Sequence, residues 1–584
     1  MSSQTSSGPP VKRTSSAVSP ESVLDSSNSS TAKKPKIEST HKRKSRRGRK
    51  GSKRQQKQRQ RLDPDPTTTE GVLTKYTIPL LMKQYDNNHG VSKDQLIVND
   101  GTMNWLLKDQ VVDNVKILIM DVQGDGVAIV ELPSHPDKKV ICVIPFGIPG
   151  DIVKIKLNQL IRIENGIGYC KADLLHVINP SQLRLAEDQI PCKYFGICSG
   201  CQLQSLDYST QLQLKRRTIV NAYRFLMDES LRSREKIEDK IGQTVGSPLL
   251  VGYRTKLTPH YDLLDMKADP PKIPSIGYEA KGRPEWRVMN ENQTRVVDIE
   301  DCIIGTPIVR KGLANERTRL SKKFDQEGSI GKKGATILLR EDTVPKPDSK
   351  DDEMNLNGSR DTDHDDTVST IPCIVKDQPY IKTCVTDHNS TVHEYVNGLE
   401  FRFLANEFFQ NNNSILPLVI DYVQKKLNFG EGRDSYLVDA YCGSGLFSIS
   451  SAKSVKRILG VEISAQSIKF AKLNAELNHI DNCEFIAGKA EKLFDQIDFP
   501  RDQTSVILDP PRKGCDKVFL DQLSQFLPKR VVYVSCNVHS QARDIQSFLT
   551  ETENGSKYHV ESIRGFDFFP QTYHVESVAV LERE

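Results

Sequence analysis

Apolar positions are almost missing from residues 1–70, gather into short runs from Val115 onward, and alternate between strand-like and helix-like periods after residue 405. The first stretch cannot bury enough surface to offset its ordering entropy, so a disordered tail is expected over 1–70. Runs at 115–119, 126–130, 140–144 and 152–156 are separated by turn formers such as Gly124-Asp125-Gly126 and Pro149-Gly150-Asp151. Short strands at that spacing predict a small OB-like barrel over residues 112–178. Segments such as 252–257 and 399–403 continue the strand-like pattern and predict a central domain over 179–405. Beyond it, 437–438, 458–461 and 531–534 read as strands buried on both faces, the pattern of a parallel sheet. A helix is expected to start near Ser414, with Pro417 in its first turn. The fold class predicted is α/β. A Rossmann-like domain over 406–584, mostly parallel with a terminal antiparallel hairpin, follows a β-rich central domain and the N-terminal barrel.

Charge sharpens these divisions. The net charge is +5, but residues 31–61 carry 15 Lys and Arg against one acid, Glu38. The runs Lys33-Lys34-Pro35-Lys36 and 42–61 suit a nuclear-localisation signal, a sequence-independent nucleic-acid arm or a solvated tail. Residues 341–366 hold ten acids against three bases, so 341–370 is expected to be a disordered acidic insertion. No apolar run nears the roughly 20 residues that span a bilayer. The first residues show neither an apolar signal core nor an amphipathic transit pattern. The expected placement is the nucleus, the cytoplasm or both, rather than the mitochondrion, with no membrane contact. Twelve cysteines in 584 residues are too few for a secreted disulfide framework. They suit a reducing compartment in which some thiols act as ligands or nucleophiles.

Three groups of residues carry candidate chemistry. Cys192, Cys198 and Cys201 lie close together among Gly and Pro, a layout typical of a thiolate-ligated metal centre, with Cys302 the natural fourth ligand. Zinc and an iron–sulfur cluster fit four thiolates equally well. The second group is the strand 437–440 with its turn Gly443-Ser444-Gly445, followed by a strand ending in Glu462, placed to hold a ribose. Ser448 stands where a dinucleotide turn has its third glycine, and Asp439 would repel a diphosphate. That charge favours a sulfonium cofactor, S-adenosylmethionine, over NAD. The third group is Asp509-Pro510-Pro511 and Cys536, a carboxylate and a thiol at strand ends, where open α/β sheets collect their chemistry. Positive charge from Arg512 or a helix N-terminus is expected to lower the Cys536 pKa. Cys442 and Cys515 read as structural, since neither ends a strand as Cys536 does.

In this order, Asn406-Glu407-Phe408-Phe409-Gln410-Asn411-Asn412, the 439–445 turn, Leu508-Asp509-Pro510-Pro511-Arg512-Lys513-Gly514, Ser535-Cys536-Asn537 and His574-Val575-Glu576 resemble the RNA uracil-5-methyltransferase family. The turns at 124–128 and 145–151 are similar to those of the TRAM domain carried by RNA-modifying enzymes. The resemblance implies S-adenosylmethionine contacts at Gln410, Tyr441, Glu462 and Asp509. It implies Cys536 as nucleophile and Glu576 as base, with Asp509 an alternative acceptor. It also implies Cys192, Cys198, Cys201 and Cys302 as ligands of a [4Fe-4S] cluster. Leu446 replaces an Asn of the bacterial members, so one polar cofactor contact is expected to be absent. The plan is most similar to the fungal T-loop branch, which implies a monomer acting on tRNA; rRNA is the alternative substrate. Two other readings compete. A cytosine-5 enzyme usually carries Pro-Cys where this chain has Ser535-Cys536, and a non-catalytic RNA-binding or folding factor would need only the barrel and the basic arm.

Overall fold

The barrel closes through one interrupted strand. In the computed structural model this strand is split into β1 (Val111–Lys116) and β2 (Ile119–Met120). It is followed by β3 (Gly126–Leu132), β4 (His135–Ile144), β5 (Ile152–Arg162) and β6 (Gly168–Asn179). The sheet order is β1-β5-β6-β4-β3-β2. Because β1 pairs with β5 and β2 with β3, the two halves of one strand reach both edges. Only β4 and β6 run parallel. Val153, Ile155 and Leu157 point into the core while Lys154 and Lys156 lie outside, the period of two expected of a half-buried strand.

The structure describes residues 63–89, 110–162, 168–262, 271–281, 295–331, 333–347, 369–427, 435–488, 494 and 497–584, all within the unit Arg59–Glu584. The expected basic tail therefore lies outside the described residues up to 62, but its predicted end at 70 is corrected. Thr68 caps a helical segment made of Thr69–Val72, a π-helical turn Leu73–Thr77 and α1 (Ile78–His89). Leu73, Ile78, Leu81 and Met82 pack against Val127, Ile141, Val143 and Tyr169 on the outside of the barrel. The apolar stripe that anchors this segment begins just beyond the polar tract, so composition alone overran its start.

The central region contains α2 (Tyr208–Leu226), α3 (Pro307–Glu327), β7 (Leu339–Pro345), β8 (Ile371–Val375) and β9 (Gln378–Val385). Strand β7 corrects the predicted start of the acidic insertion. Glu341 and Asp342 are buried in β7, not solvated. Lys382 on β9 pairs with Glu341, and His393 donates its backbone N–H to Asp342 at 2.7 Å. Their partners come from neighbouring strands, which a charge count along the chain does not register. Residues 348–368 of the predicted insertion lie outside the described residues. The hairpin β10 (Thr391–Val396) and β11 (Leu399–Leu404) packs Phe401 and Phe403 into the same core as Val419, Leu437 and Ile507, on the C-terminal side.

The C-terminal sheet comprises β12 (Tyr436–Ala440), β13 (Arg457–Glu462), β14 (Cys483–Ala487), β15 (Thr504–Leu508), β16 (Arg530–Ser535), β17 (Tyr558–Phe566) and β18 (Glu576–Arg583). Its order is β14-β13-β12-β15-β16-β18-β17. The first five strands are parallel, and β18 runs antiparallel to both of its neighbours, as expected for an α/β sheet ending in a hairpin. Five helices accompany it: α4 (Leu416–Leu427), α5 (Leu446–Ser451), α6 (Ala465–Leu477), α7 (Lys517–Phe526) and α8 (Val538–Glu551). Val438, Val506 and Val531 enter one core, and their neighbours Leu437, Ile507 and Val532 enter the core on the opposite face. Burial on both faces is why these strands read as unbroken apolar runs. The strand order reverses between β12 and β15, which opens a crevice at their carboxyl ends. Among the described residues no helix is long and apolar enough to cross a membrane.

Candidate active site

The crevice is built around the turn after β12. Tyr441, Gly443 and Gly445 all have positive φ, +67°, +54° and +93°, so the chain doubles back tightly before α5. A Cβ on Gly443 would project into open space, which leaves a cradle in front of the turn. Beneath it Asp439 is fully buried, and its Oδ2 accepts from the Ser448 N–H at 3.0 Å and the Ser448 hydroxyl at 2.6 Å. The serine that replaces a third glycine thus holds the acid in place. Asp439 Oδ1 has no partner, and burial, aided by the charge of Glu462, pushes the carboxyl up to about 7. At the end of β13, Glu462 accepts from Ser464 N at 2.9 Å and Gly443 N at 3.3 Å. Both oxygens are thereby oriented over the turn, with lone pairs left for ligand hydroxyls.

Gln410 is buried in the loop between β11 and α4. Its neighbours fix that loop: Phe409 stacks on Phe403 at 4.4 Å, Arg340 donates to Asn411 Oδ1 at 3.0 Å, and Asn412 donates to Phe568 O at 3.0 Å. Leu446 opens α5 as a buried apolar residue, so this position offers no polar side-chain contact.

The reacting groups gather at the ends of the next strands. Asp509 follows β15 and Cys536 follows β16. The antiparallel register pairs Ser535 with Ser577, which puts Glu576 across from Cys536. Burial and then Asp509 push the Glu576 carboxyl up to about 8, while Arg512 pulls it down. Burial pushes Asp509 up to about 7, with Asp439 and Glu462 adding to the shift. Arg512 lowers the Cys536 pKa as expected, but burial, Glu576 and Asp509 outweigh it and the thiol rises to about 12. Burial is the largest cause, ahead of the two carboxyls, so Arg512 lowers the thiol as expected without setting its net shift. Cys442 and Cys515 are buried.

Asn537, beside the nucleophile candidate, caps α8 and ties three chain segments together. The two N–H groups of its amide are shared among Thr67 O at 3.1 Å, Arg512 O at 2.9 Å and Ser540 Oγ at 2.8 Å. The cap is visible in the sequence as Asn before an apolar helical run. The partner at Thr67, 470 positions away, leaves no sequence signal. Tyr573 was also missed: its ring lies 4.1 Å from that of His574, and its phenol feels the charge of Arg512.

Cys192, Cys198, Cys201 and Cys302 line one cavity of about 280 Å³ with Tyr278 and Arg254. Burial raises Cys198 to about 12 and Cys302 to about 11, and each sulfur is pushed further by its neighbours. Among the described residues no three His, Cys, Asp or Glu side chains are gathered as for a metal ion. A tetrahedral zinc site needs all four sulfurs about 2.3 Å from one centre. The four thiols nevertheless line the same cavity.

Comparison with known proteins places this architecture. A family model described as tRNA (Uracil-5-)-methyltransferase matches residues 382–584. A Saccharomyces cerevisiae tRNA (uracil(54)-C(5))-methyltransferase is 46% identical, over 89% of this chain and 82% of the relative. A Schizosaccharomyces pombe protein of the same name is 40% identical, over 80% of this chain and 78% of the relative. A Pyrococcus abyssi tRNA (uracil-54, C5)-methyltransferase, solved with S-adenosyl-L-homocysteine, has a similar fold. Its TM-score is 0.50 at 22% identity, over 80% of this chain and 99% of that one.

Proposed function

Because the chain belongs to the tRNA (uracil-5-)-methyltransferase family, we infer that it moves a methyl group from S-adenosylmethionine to carbon 5 of a uridine in tRNA. We propose the T-loop uridine at position 54 as the target, the position in the names of both yeast relatives. The observation that carries the mechanism is the register that sets Glu576 opposite Cys536, with Asp509 and Arg512 at the same edge. Methyl transfer from labelled S-adenosylmethionine to unmodified tRNA, followed by nucleoside analysis, tests the reading. Label in 5-methyluridine supports it, and label in rRNA alone would change the substrate.

Carbon 5 of uracil is a weak nucleophile, so the reaction is divided into easier steps. The Cys536 thiolate adds to carbon 6, and the electron pair of the carbon 5–carbon 6 double bond moves toward oxygen 4. Carbon 5 of this enolate takes the methyl group. Glu576 then accepts the proton left on carbon 5; the freed electron pair restores the double bond and expels the thiolate. S-adenosylmethionine supplies an electrophilic methyl on a cationic sulfur when bound. Glu462 suits its ribose hydroxyls, Gly443 leaves it room, and Gln410, Tyr441 and Asp509 are the further contacts proposed for it. A base inside a folded loop must be flipped out to reach Cys536.

Glu576→Gln tests the last step. Turnover is expected to fall about 10²–10⁴-fold, and a methylated protein–tRNA adduct should survive denaturing electrophoresis. Undiminished turnover would transfer the base role to Asp509.

The raised carboxyls give a second expectation. In the free protein, Asp439, Asp509 and Glu576 stay protonated up to about 7, about 7 and about 8. A sulfonium nearby favours their ionised forms, so binding releases protons. Affinity for S-adenosylmethionine should rise with pH from the ordinary carboxylate range up to those values. Calorimetry in buffers of different ionisation enthalpy reads the released protons directly; identical heats in all buffers would contradict the linkage.

The barrel supports a TRAM-like role in holding RNA. The four cavity-lining cysteines are proposed ligands of an iron–sulfur cluster, which would cross-link the 192–201 loop to the segment before α3, and no step above passes through it. The basic runs at 33–36 and 42–61 support nuclear or cytoplasmic placement.

A further inference from the structure

The loop that carries Gln410 is tied down on both sides by consecutive residues, each to a different element. Phe409 lies flat on Phe403 of β11, with ring centroids 4.4 Å apart. The Asn411 side chain accepts from Arg340 of β7 at 3.0 Å, and its backbone O accepts from Thr255 N at 3.0 Å. Asn412 donates to Ser247 Oγ and to Phe568 O, both at 3.0 Å. The Asn413 amide donates to Glu394 of β10. Between these anchors Gln410 is 8% exposed. The loop borders the cofactor crevice, where burial and, to a smaller extent, the charge of Glu462 push the Glu407 carboxyl up.

Arg340 is a demanding residue for a core to hold. Its side chain is fully buried, and its Nε and Nη2 have no hydrogen-bond partner. Burial lowers its pKa to about 10, with Glu394 and Glu341 opposing the shift. Neither acid is dedicated to it: Glu341 pairs with Lys382, and burial and then Glu341 push the Glu394 carboxyl up. A buried ion in such a setting often contributes less to stability than an apolar side chain of the same volume. Two contacts remain that a planar cation supplies. The guanidinium carbon sits 4.7 Å from the centre of the Phe403 ring, on which Phe409 stacks. Nη1 holds Asn411. Arg340 thus grips the residues on either side of Gln410.

We propose that Arg340 is a positioning residue for the methyl donor: by locking Phe409 and Asn411 to the central region, it holds the Gln410 amide where S-adenosylmethionine is read. The proposal rests on the reading of Gln410 as a cofactor contact. Gln410 can place its amide only as well as its backbone is fixed, and a misplacement of about 1 Å is enough to disable such a contact. Arg340 acts through the loop and takes no part in proton or methyl transfer.

The test is binding of S-adenosylhomocysteine, read by calorimetry, in wild type, Arg340→Gln, Gln410→Ala and the double variant. Glutamine keeps a planar polar group but has neither the charge nor the reach to Asn411. Kd is expected to rise about tenfold in Arg340→Gln, the scale of one hydrogen bond lost. Gln410→Ala should weaken binding by a similar factor. In the Gln410→Ala background, Arg340→Gln should add less than about twofold, because the two act through one contact. A residue that only stabilised the fold would weaken binding by the same factor in both backgrounds, or not at all. Asn411→Ala cuts the same bond from the loop side and decides if Arg340→Gln does not fold. Asn411→Asp, which keeps the acceptor, should stay within about twofold of wild type. An unchanged Kd in Arg340→Gln, or equal factors in both backgrounds, overturns the proposal. Gln410→Ala with wild-type affinity removes the cofactor contact itself, and the proposal falls with it. Absence of binding by wild type would count against the S-adenosylmethionine reading as a whole.

Discussion

Cys536→Ala is expected to abolish methylation of tRNA, by on the order of 10⁴-fold or more, the scale on which loss of a covalent nucleophile acts. Without the carbon 6 adduct, carbon 5 has no enolate character, and bringing the methyl donor close does not supply it. No other thiol can substitute, because Cys442 and Cys515 are buried. Cofactor binding should survive, since Glu462 and the 441–445 turn are held by bonds that do not involve Cys536. Label from S-adenosylmethionine in 5-methyluridine, measured beside binding of S-adenosylhomocysteine, separates the two effects. Methylation retained in Cys536→Ala would end the adduct mechanism and favour direct transfer. The raised thiol adds a direction: single-turnover rates should climb with pH through neutrality, as more of the thiol ionises.

The second large effect is on stability. Lys215 on α2 and Asp567 after β17 form an ion pair at 2.5 Å, with side chains 1% and 0% exposed. Asp567 also accepts from Tyr208 at 3.0 Å, and Lys215 donates to Phe569 O at 3.0 Å. Burial lowers the Lys215 pKa, and Asp567 opposes that shift. Asp567→Ala leaves the ammonium buried without its counter-ion and is expected to cost about 3–5 kcal/mol. Replacing both partners by apolar residues of similar volume should recover much of that loss. Denaturant midpoints for the single and double variants decide it. A loss below about 1 kcal/mol in Asp567→Ala would mean that the lysine sheds its proton at little cost. Activity should fall as well, because the 567–575 loop leads directly into Glu576.

Those two sites differ in how far the sequence reveals them. Cys536 ends an apolar run, and Glu462 follows Gly443 at the spacing of a ribose carboxylate, so short-range pattern finds both. The α/β class is equally open to reading, because strands buried on both faces print unbroken apolar runs. Lys215 and Asp567 are 352 positions apart, and nothing local distinguishes either from a solvated charge. The same blindness turned Glu341 and Asp342 into part of a supposed insertion, although Lys382 and His393 sit beside them in space. Arg512 is visible in the sequence as a cation that lowers the Cys536 thiol, but the burial that outweighs it, and the nearness of Glu576, depend on packing and strand register.

The bond from Asn537 to Thr67 also bears on how the molecule is made. Thr67 leaves the ribosome 470 residues before its partner exists. Closing so long a loop is entropically expensive and slow compared with local helix and hairpin formation. The brace on the nucleophile loop therefore belongs among the last contacts to form, after the barrel and the cofactor turn have assembled from nearer residues. A newly made chain is then expected to complete its cofactor turn before its thiol loop is braced, so competence to react should arrive as a late step of maturation.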